Sequence, residues 1–360
     1  MTPETPAAPA TRSAAPKPAP RGGFAHPLAA ADLASARAAL ARGGASTLGH
    51  LPLLAAAAFG GFRRRAWIAK TAAAAAEIQD DWHLACPPLF IVGFWRSGTT
   101  LLHELMACDK SFAAPSLLDV LCPADAPFLL GRKRELVAKT LPASRGFDAV
   151  EIAPTRPQEE EWALAQLGAP SFFNAFYFPR ARARLIDEAL FFEGGGDPWR
   201  AWSTAHGRFL KTLRVKHPTR APLLKNPANS TRIAELAALY PTARFLRIDR
   251  DRDETLRSLR RMMDGMAGMF SLQGAAPAFS ADEAERLHAR VMDRLDADWR
   301  ALPPGRALGL RYERLTARPL ATIAEVYEGF GLDLTREART RQKRFWKQSG
   351  KSRRPYAGPR

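Results

Sequence analysis

Short apolar runs of strand length punctuate the chain from Leu89 onward: LFIV (Leu89–Val92), PLLK (Pro222–Lys225), RFLRID (Arg244–Asp249) and ALGLRY (Ala307–Tyr312). Each is followed by apolar residues at helical spacing, over Thr99–Ala107, Ser230–Tyr240, Asp253–Met263 and Leu320–Phe330. Strands alternating with helices predict an α/β fold with a parallel sheet covered on both faces. Ligands in such folds bind outside the carboxyl ends of strands, where Gly93–Thr100 and Asp249–Ser258 fall. The segment Ala113–Pro179 is richer in proline and polar residues and reads as an insertion or lid near the site. Its aromatic run SFFNAFYF (Ser171–Phe178) reads as a buried strand, with the wall of an apolar pocket as the alternative.

Upstream, Ala29–Gln79 shows apolar residues at helical spacing, broken near Gly43–Gly44 and Gly60–Gly61. Two or three helices packed on the main domain are expected. The stretch LPLLAAAAFGGF (Leu51–Phe62) is shorter than the ~20 residues of a membrane span and runs into Arg63, Arg64 and Arg65. Residues Met1–Gly23 hold six prolines and six alanines and are expected to be disordered. The chain then divides into a Pro/Ala-rich tail (1–23), a helical extension (24–86), a main domain (87–335) and a basic C-terminal segment (336–360).

The loop after the first strand has the form Gly93-x4-Gly98-Thr99-Thr100, close to the phosphate loop G-x4-G-K-[ST] but with Thr99 in place of the lysine. Arg96 supplies a cation inside the loop instead. Gly93 and Gly98 permit the backbone turns an anion nest needs, and the amides of Ser97–Thr100 would face an oxyanion at the start of the next helix. The plain alternative is a glycine-rich turn without a ligand. Arg250 stands just past the third predicted strand and Ser258 follows eight residues later on the next helix, so both can reach one phosphate. Alone, that pair is a solvated helix face.

Charge sharpens this picture. With 53 Lys and Arg against 36 Asp and Glu, the formal charge is +17 and the pI near 10.5. Such a balance attracts nucleic acid, anionic lipid or phosphorylated small molecules. Arg336–Arg360 holds ten of the cations and one Glu; a solvated tail and a ligand-binding arm are both open readings. No basic stripe interleaved with aromatics and no zinc or helix-turn-helix spacing marks a nucleic-acid module. Cys86, Cys108 and Cys122 form no metal-binding or disulfide pattern, and no secretory signal is visible. A cytoplasmic protein without a bound metal is expected.

Arg96-Ser97-Gly98-Thr99-Thr100 together with Arg250 and Ser258 resembles the donor site of sulfotransferases that use 3′-phosphoadenosine 5′-phosphosulfate (PAPS). In that family the first motif binds the 5′-phosphosulfate and the second the 3′-phosphate. The stretches PLLKNPANSTRIAELAALYPTARFLRIDRD and YERLTARPLATIAEVYEGFGLDL are similar to the bacterial members, and the resemblance runs from Pro87 to Leu334. It implies a P-loop-NTPase-like three-layer fold with a central parallel sheet and in-line sulfuryl transfer to a hydroxyl or amine. It also implies that no Mg²⁺ is required, since a sulfuryl group carries less charge than a γ-phosphoryl. Arg96 would then pair with the 5′-phosphate and the bridging oxygen as charge develops there. Arg252 stands where the family often has proline, which bears on the turn and not on the phosphate ligands.

For the acceptor's proton, RPQEEEWAL (Arg156–Leu164) places three carboxylates at a helix start, resembling the acidic stretch of bacterial members. Glu159 or Glu160 is the candidate base, with Glu161 solvated; acids favoured by the helix dipole are the alternative. His103, one turn beyond Thr99, is a second candidate base, against a core histidine. Lys225, ending the second predicted strand, would touch the sulfate or the acceptor, or be a surface lysine. Lys347, Lys351 and Arg353 would close over the 3′-phosphate by analogy with the family's basic loop. Gly350-Lys351-Ser352 is no phosphate loop, lacking the earlier glycine and a buried strand. Two competing readings remain: a P-loop kinase-like phosphotransferase with Asp249 as a metal-binding strand end, and a nucleic-acid-binding protein.

Overall fold

The computed structural model describes residues 26–46, 48–129, 135 and 153–349. The tail expected to be disordered, and Lys351 and Arg353, lie outside the described residues. Among the described residues, five strands form one parallel sheet: β1 (Leu89–Val92), β2 (Phe112–Ala113), β3 (Ala221–Lys225), β4 (Arg244–Asp249) and β5 (Ala307–Arg311). Their order is β2-β3-β1-β4-β5. Leu89 of β1 pairs with Leu223 on one side and Arg244 on the other, so β1 is central and the loop after it opens where the winding reverses.

The period-two alternation explains why β1 is apolar throughout. Phe90 and Val92 pack with Trp202, Phe209 and Leu236 on one face. Leu89 and Ile91 pack with Leu102, Leu105, Ile323 and Val326 on the other. The helices Pro198–Lys216, Ile233–Leu239 and Ala281–Arg300 thus cover one face. Thr99–Met106, Pro319–Gly329 and Arg336–Gln348 cover the other, giving the three-layer architecture read from the sequence. A third core joins Leu28, Leu40 and Leu54 of the N-terminal helices to Phe172, Phe176 and Met263. His26 Nε2 donates to the Phe270 carbonyl at 3.0 Å and Gln166 Nε2 to that of Pro27 at 2.6 Å, fastening this extension to the main body.

Several local expectations are corrected. Gly60–Gly61 do not break the helix, which runs unbroken over Leu51–Ala76. They lie where the entering chain crosses: a Cβ on Gly60 would stand 3.8 Å from the Ala29 carbonyl and one on Gly61 3.7 Å from Asp32 Cα. Ser171–Phe178 is not a strand. It holds the helical turn Asn174–Tyr177, and Phe172 and Phe173 just before it meet Phe176 and Tyr177 within it edge to face at four-residue spacing. The helix expected over Ser230–Tyr240 begins instead with a 3₁₀ turn, Pro227–Thr231, and continues as Ile233–Leu239. The described part of Ala113–Pro179 is core and not lid: Leu117, Val120, Ala163 and Leu164 are buried. The basic segment is a packed helix as far as Gln348, with Arg341 Nε donating to the Cys108 carbonyl at 2.7 Å and Gln342 buried.

Candidate functional site

The loop after β1 is shaped by two positions that tolerate no side chain. A Cβ on Gly93 (φ 143°) would stand 2.3 Å from the Ile248 carbonyl of β4, and one on Gly98 (φ 102°) 2.3 Å from the Tyr312 ring. Arg96 also takes a left-handed conformation (φ 69°), which turns the loop back on itself. The Gly93 amide donates to Ser230 Oγ at 2.9 Å, tying the loop to the 3₁₀ turn after β3. The helix Thr99–Met106 starts directly from Gly98 with no side chain capping its first amides. Ser97 is buried, and its hydroxyl has no hydrogen-bond partner among the described residues. A cradle of uncapped amides beside a buried, unsatisfied hydroxyl is chemically suited to an oxyanion.

The cationic residues converge on this loop. Arg96 Nε donates to Ser258 Oγ at 2.8 Å, and Arg250 Nη1 donates to the Arg96 carbonyl at 3.3 Å. The Arg250 guanidinium lies 4.3 Å over the Tyr312 ring and pairs with Glu254, while its buried Nε has no hydrogen-bond partner among the described residues. Arg96, Arg250 and Ser258 therefore form one hydrogen-bonded chain. Asp251 caps the helix that carries Ser258 (Arg252–Phe270), accepting from the Glu254 amide at 2.9 Å. Asp249 is engaged by Arg247, whose Nε donates to both its carboxylate oxygens at 3.0 and 2.8 Å.

Lys225 meets the loop from β3. It is buried, donates from Nζ to Thr100 Oγ1 at 3.4 Å, and pairs with Glu159. The three adjacent carboxylates part company here. Glu159 is 23 % exposed and stays with Lys225. Glu160 is wholly buried and accepts from Asn229 Nδ2 at 2.6 Å; burial pushes its pKa up to about 7. Glu161, expected to be solvated, is 1 % exposed. It accepts from Arg232 Nη1 at 2.8 Å, Asn226 Nδ2 at 2.7 Å and the Phe172 amide at 2.6 Å. Burial alone would raise its pKa, but the Arg232 charge and these hydrogen bonds outweigh burial and hold it below the usual carboxylate range.

His103 is turned under the sheet. It is 1 % exposed, its Nε2 donates to the Leu223 carbonyl at 3.3 Å, and burial, then the Lys225 charge, lower its pKa to about 3. It is a neutral core histidine, and the structure does not bring it to the loop mouth. Thr99 is buried at the same helix start. Lys347 lies exposed in the last helix. Sequence reasoning missed Tyr312, Asn226, Asn229, Ser230 and Arg232, which hold the loop and sort the carboxylates.

A central parallel sheet with a glycine-bounded loop at its switch point gives the chain a P-loop-NTPase-like α/β fold. Residues 87–336 match the model of the sulfotransferase family, more than two thirds of the chain, and the protein belongs to that family. It is 30 % identical over 253 residues to the omega-hydroxy-beta-dihydromenaquinone-9 sulfotransferase Stf3 of Mycobacterium bovis, a match covering 69 % of this chain and 64 % of the relative. The chain thus spans less than two thirds of that relative's length. Two crystal structures share the fold. Sulfotransferase STF1 from Mycobacterium tuberculosis H37Rv superposes with a TM-score of 0.60 at 21 % identity, covering 86 % of this chain and 84 % of that one. Sulfotransferase STF9 from Mycobacterium avium gives 0.63 at 18 % identity, covering 85 % and 78 %.

Proposed function

We propose that this protein transfers the sulfuryl group of PAPS to a hydroxyl or amine acceptor. The observation that carries the reading is the hydrogen-bonded chain of Arg250, Arg96 and Ser258, set on a phosphate-type loop without the Walker lysine. The residues present fit the donor. Ser97 Oγ in that loop and Arg250 Nε just past β4 are buried polar atoms without hydrogen-bond partners among the described residues, suited to an anionic ligand. Arg96 and the Ser97–Thr100 segment would hold the 5′-phosphosulfate, and Arg250 with Ser258 the 3′-phosphate. The bound donor would supply a sulfuryl group on a phosphate leaving group.

The chain's own residues supply charge and a base. Lys225, between Thr100 and Glu159, adds a buried ammonium beside the loop, where developing negative charge is stabilised most strongly. Glu159 is the base of choice, because among the three carboxylates it alone meets Lys225 and keeps a partly exposed face. It would take the acceptor hydroxyl's proton onto a carboxylate oxygen. Glu160 and Glu161 are committed to Asn229 and Arg232 and act on the framework.

Within the loop, Trp95 stacks on Phe172 at 4.4 Å and Phe94 packs against Trp95 at 5.5 Å, so buried aromatic core backs the cradle. A relative named for an omega-hydroxylated menaquinone favours a hydroxyl on a largely apolar molecule as acceptor. The three thiols are free, in keeping with a cytoplasmic location. The phosphotransferase reading needs Asp249 for a metal ion, and Arg247 already occupies both its oxygens.

The test is calorimetric binding of adenosine 3′,5′-bisphosphate without Mg²⁺ to wild type and Arg250→Ala. Binding weakened at least tenfold in the variant, about 1.4 kcal/mol, supports the reading. No binding by wild type, or binding indifferent to Arg250, overturns it.

A further inference from the structure

The helix Leu51–Ala76 has a second face that the enzyme core does not use. Leu51, Phe59 and Phe62 on it, and Leu48 in the turn before it, are 55, 65, 62 and 77 % exposed. At about 100° per residue, Leu51, Ala55, Phe59, Phe62, Ala66, Ala69 and Ala73 fall within an arc of about 80°. The face that meets the body is on the opposite side, where Leu54, Ala57, Thr71 and Ala75 are buried. Arg64 also points inward, donating to Asp125 at 2.6 Å and to the Ala30 carbonyl at 2.5 Å. The helix is therefore fixed to the protein with an apolar stripe turned out.

Cations border that stripe on both sides. Arg63 and Lys70 lie on one flank and Arg65 on the other by the same helical count. Arg63 stands 5.8 Å over the Phe59 ring and Arg65 4.0 Å over that of Phe62. No Asp or Glu occurs anywhere in Leu51–Ala76. The next acid, Glu77, lies about 22 Å along the axis from Phe62 at 1.5 Å per residue. On the neighbouring helix Leu33–Arg42, Leu33 and Arg37 are exposed and the half-buried Asp32 caps the Ser35 amide.

We propose that this face docks the protein on an anionic lipid surface. The rings and leucines enter the headgroup boundary while Arg63, Arg65 and Lys70 meet lipid phosphates. An exposed apolar stripe flanked by cations and lacking acids matches the chemistry of interfacial helices. A second copy of this chain fits less well, because its identical stripe would set arginine against arginine on a molecule of formal charge +17. The helix lies flat and does not span: among the described residues no helix is long and apolar enough to cross a membrane. The inference is independent of the acceptor and of the nucleotide assignment.

The test is flotation of the full chain with vesicles of phosphatidylcholine alone and of phosphatidylcholine with phosphatidylglycerol. Wild type is expected to float with the anionic vesicles, to be released by salt, and to bind the neutral ones at least tenfold more weakly. Phe59→Ser with Phe62→Ser, and separately Arg63→Glu with Arg65→Glu, are each expected to weaken partition at least tenfold with thermal unfolding unchanged. Since all four positions are exposed or rim the stripe, the charge-reversed pair stands in if the serine pair fails to fold. Wild type that stays unbound, variants that float like wild type, or self-association lost in the serine pair without any vesicle binding would each overturn the proposal.

Discussion

Replacing Glu161 by Gln removes one charge from an ion pair whose side chains are 0 % and 1 % exposed. Arg232 would keep its bonds from Nε and Nη2 to the Ala189 carbonyl, at 3.1 and 2.5 Å, and its place 4.8 Å from the Trp202 ring. It would lose the only carboxylate it meets at hydrogen-bond distance among the described residues. Stranding one member of a buried pair costs about 3–5 kcal/mol, a large part of a total stability of about 5–15 kcal/mol. At roughly 2–4 °C per kcal/mol for large domains, and toward the lower end for a chain this long, unfolding should fall by about 6–15 °C. Scanning calorimetry at pH 7 on wild type, Glu161→Gln, Arg232→Met and Glu161→Leu with Arg232→Met measures this. The apolar double variant should lose less than either single one, because it buries no unpaired charge. The folded pKa of Glu161 lies below its ordinary 4.5, so its contribution is complete above that value and lost as pH falls through the folded pKa. The gap between wild type and Glu161→Gln should therefore narrow in acid. A fall of less than about 2 °C, or a double variant as unstable as the sum of the singles, would refute the reasoning.

Glu160 has the opposite sign. With its folded pKa raised to about 7, the stability it supplies is complete below about 4.5 and lost as pH rises through about 7. Glu160→Gln keeps an acceptor for Asn229 and should be more stable than wild type at pH 8 by roughly 2–4 kcal/mol, at 1.36 kcal/mol per pKa unit. Denaturant midpoints shifted equally at pH 5 and pH 8 would show that Glu160 does not titrate so. Gly98→Ala meets both a positive φ and the Tyr312 ring and should destabilise by about 2–3 kcal/mol while abolishing bisphosphate binding. Adding Tyr312→Ala relieves the contact but not the dihedral, so full recovery would show that sterics alone demand the glycine. Lys225→Met should lower turnover of a hydroxylated lipid acceptor on the order of a hundredfold with bisphosphate affinity nearly unchanged; equal losses in both would make Lys225 a binding residue only.

β1 was legible because helices enclose it on both faces and no position faces water, while β5, with Gly309 and Arg311 exposed, was legible from the apolar residues at its other positions. β2 escaped notice because two residues, Phe112–Ala113, carry no periodicity. The aromatic run Ser171–Phe178 misled for a related reason. A stretch apolar on every side shows no period, so nothing in it separates a strand from a helical turn. Only the contacts Phe172–Phe176 and Phe173–Tyr177 decide, and they are made in the folded state. Gly60–Gly61 looked like punctuation, yet the helix passes through them, and a Cβ at either would meet only ordinary van der Waals contacts with Ala29 and Asp32, some thirty residues upstream.

The site divides along the same line. Its cationic half is carried by two short motifs, the loop with Arg96 and the strand end and helix with Arg250 and Ser258; local spacing marks each motif, and the fold joins them across 154 and 162 residues. Its acidic half is sorted from a distance. Glu159, Glu160 and Glu161 are consecutive, and helical geometry must point them in three directions, yet nothing local says which one faces the loop. That is settled by Lys225, Asn229 and Arg232, at separations of 66, 69 and 71 residues. One signal was present in the sequence. Asn226, Asn229 and Arg232 stand three residues apart, the spacing at which side chains eclipse in a 3₁₀ turn, and the turn Pro227–Thr231 lies between the outer two. Three polar groups on one edge of a buried turn demand partners, and only a buried carboxylate satisfies an arginine. That demand points at Glu161, and with Glu160 on Asn229, Glu159 is left to Lys225 and the loop.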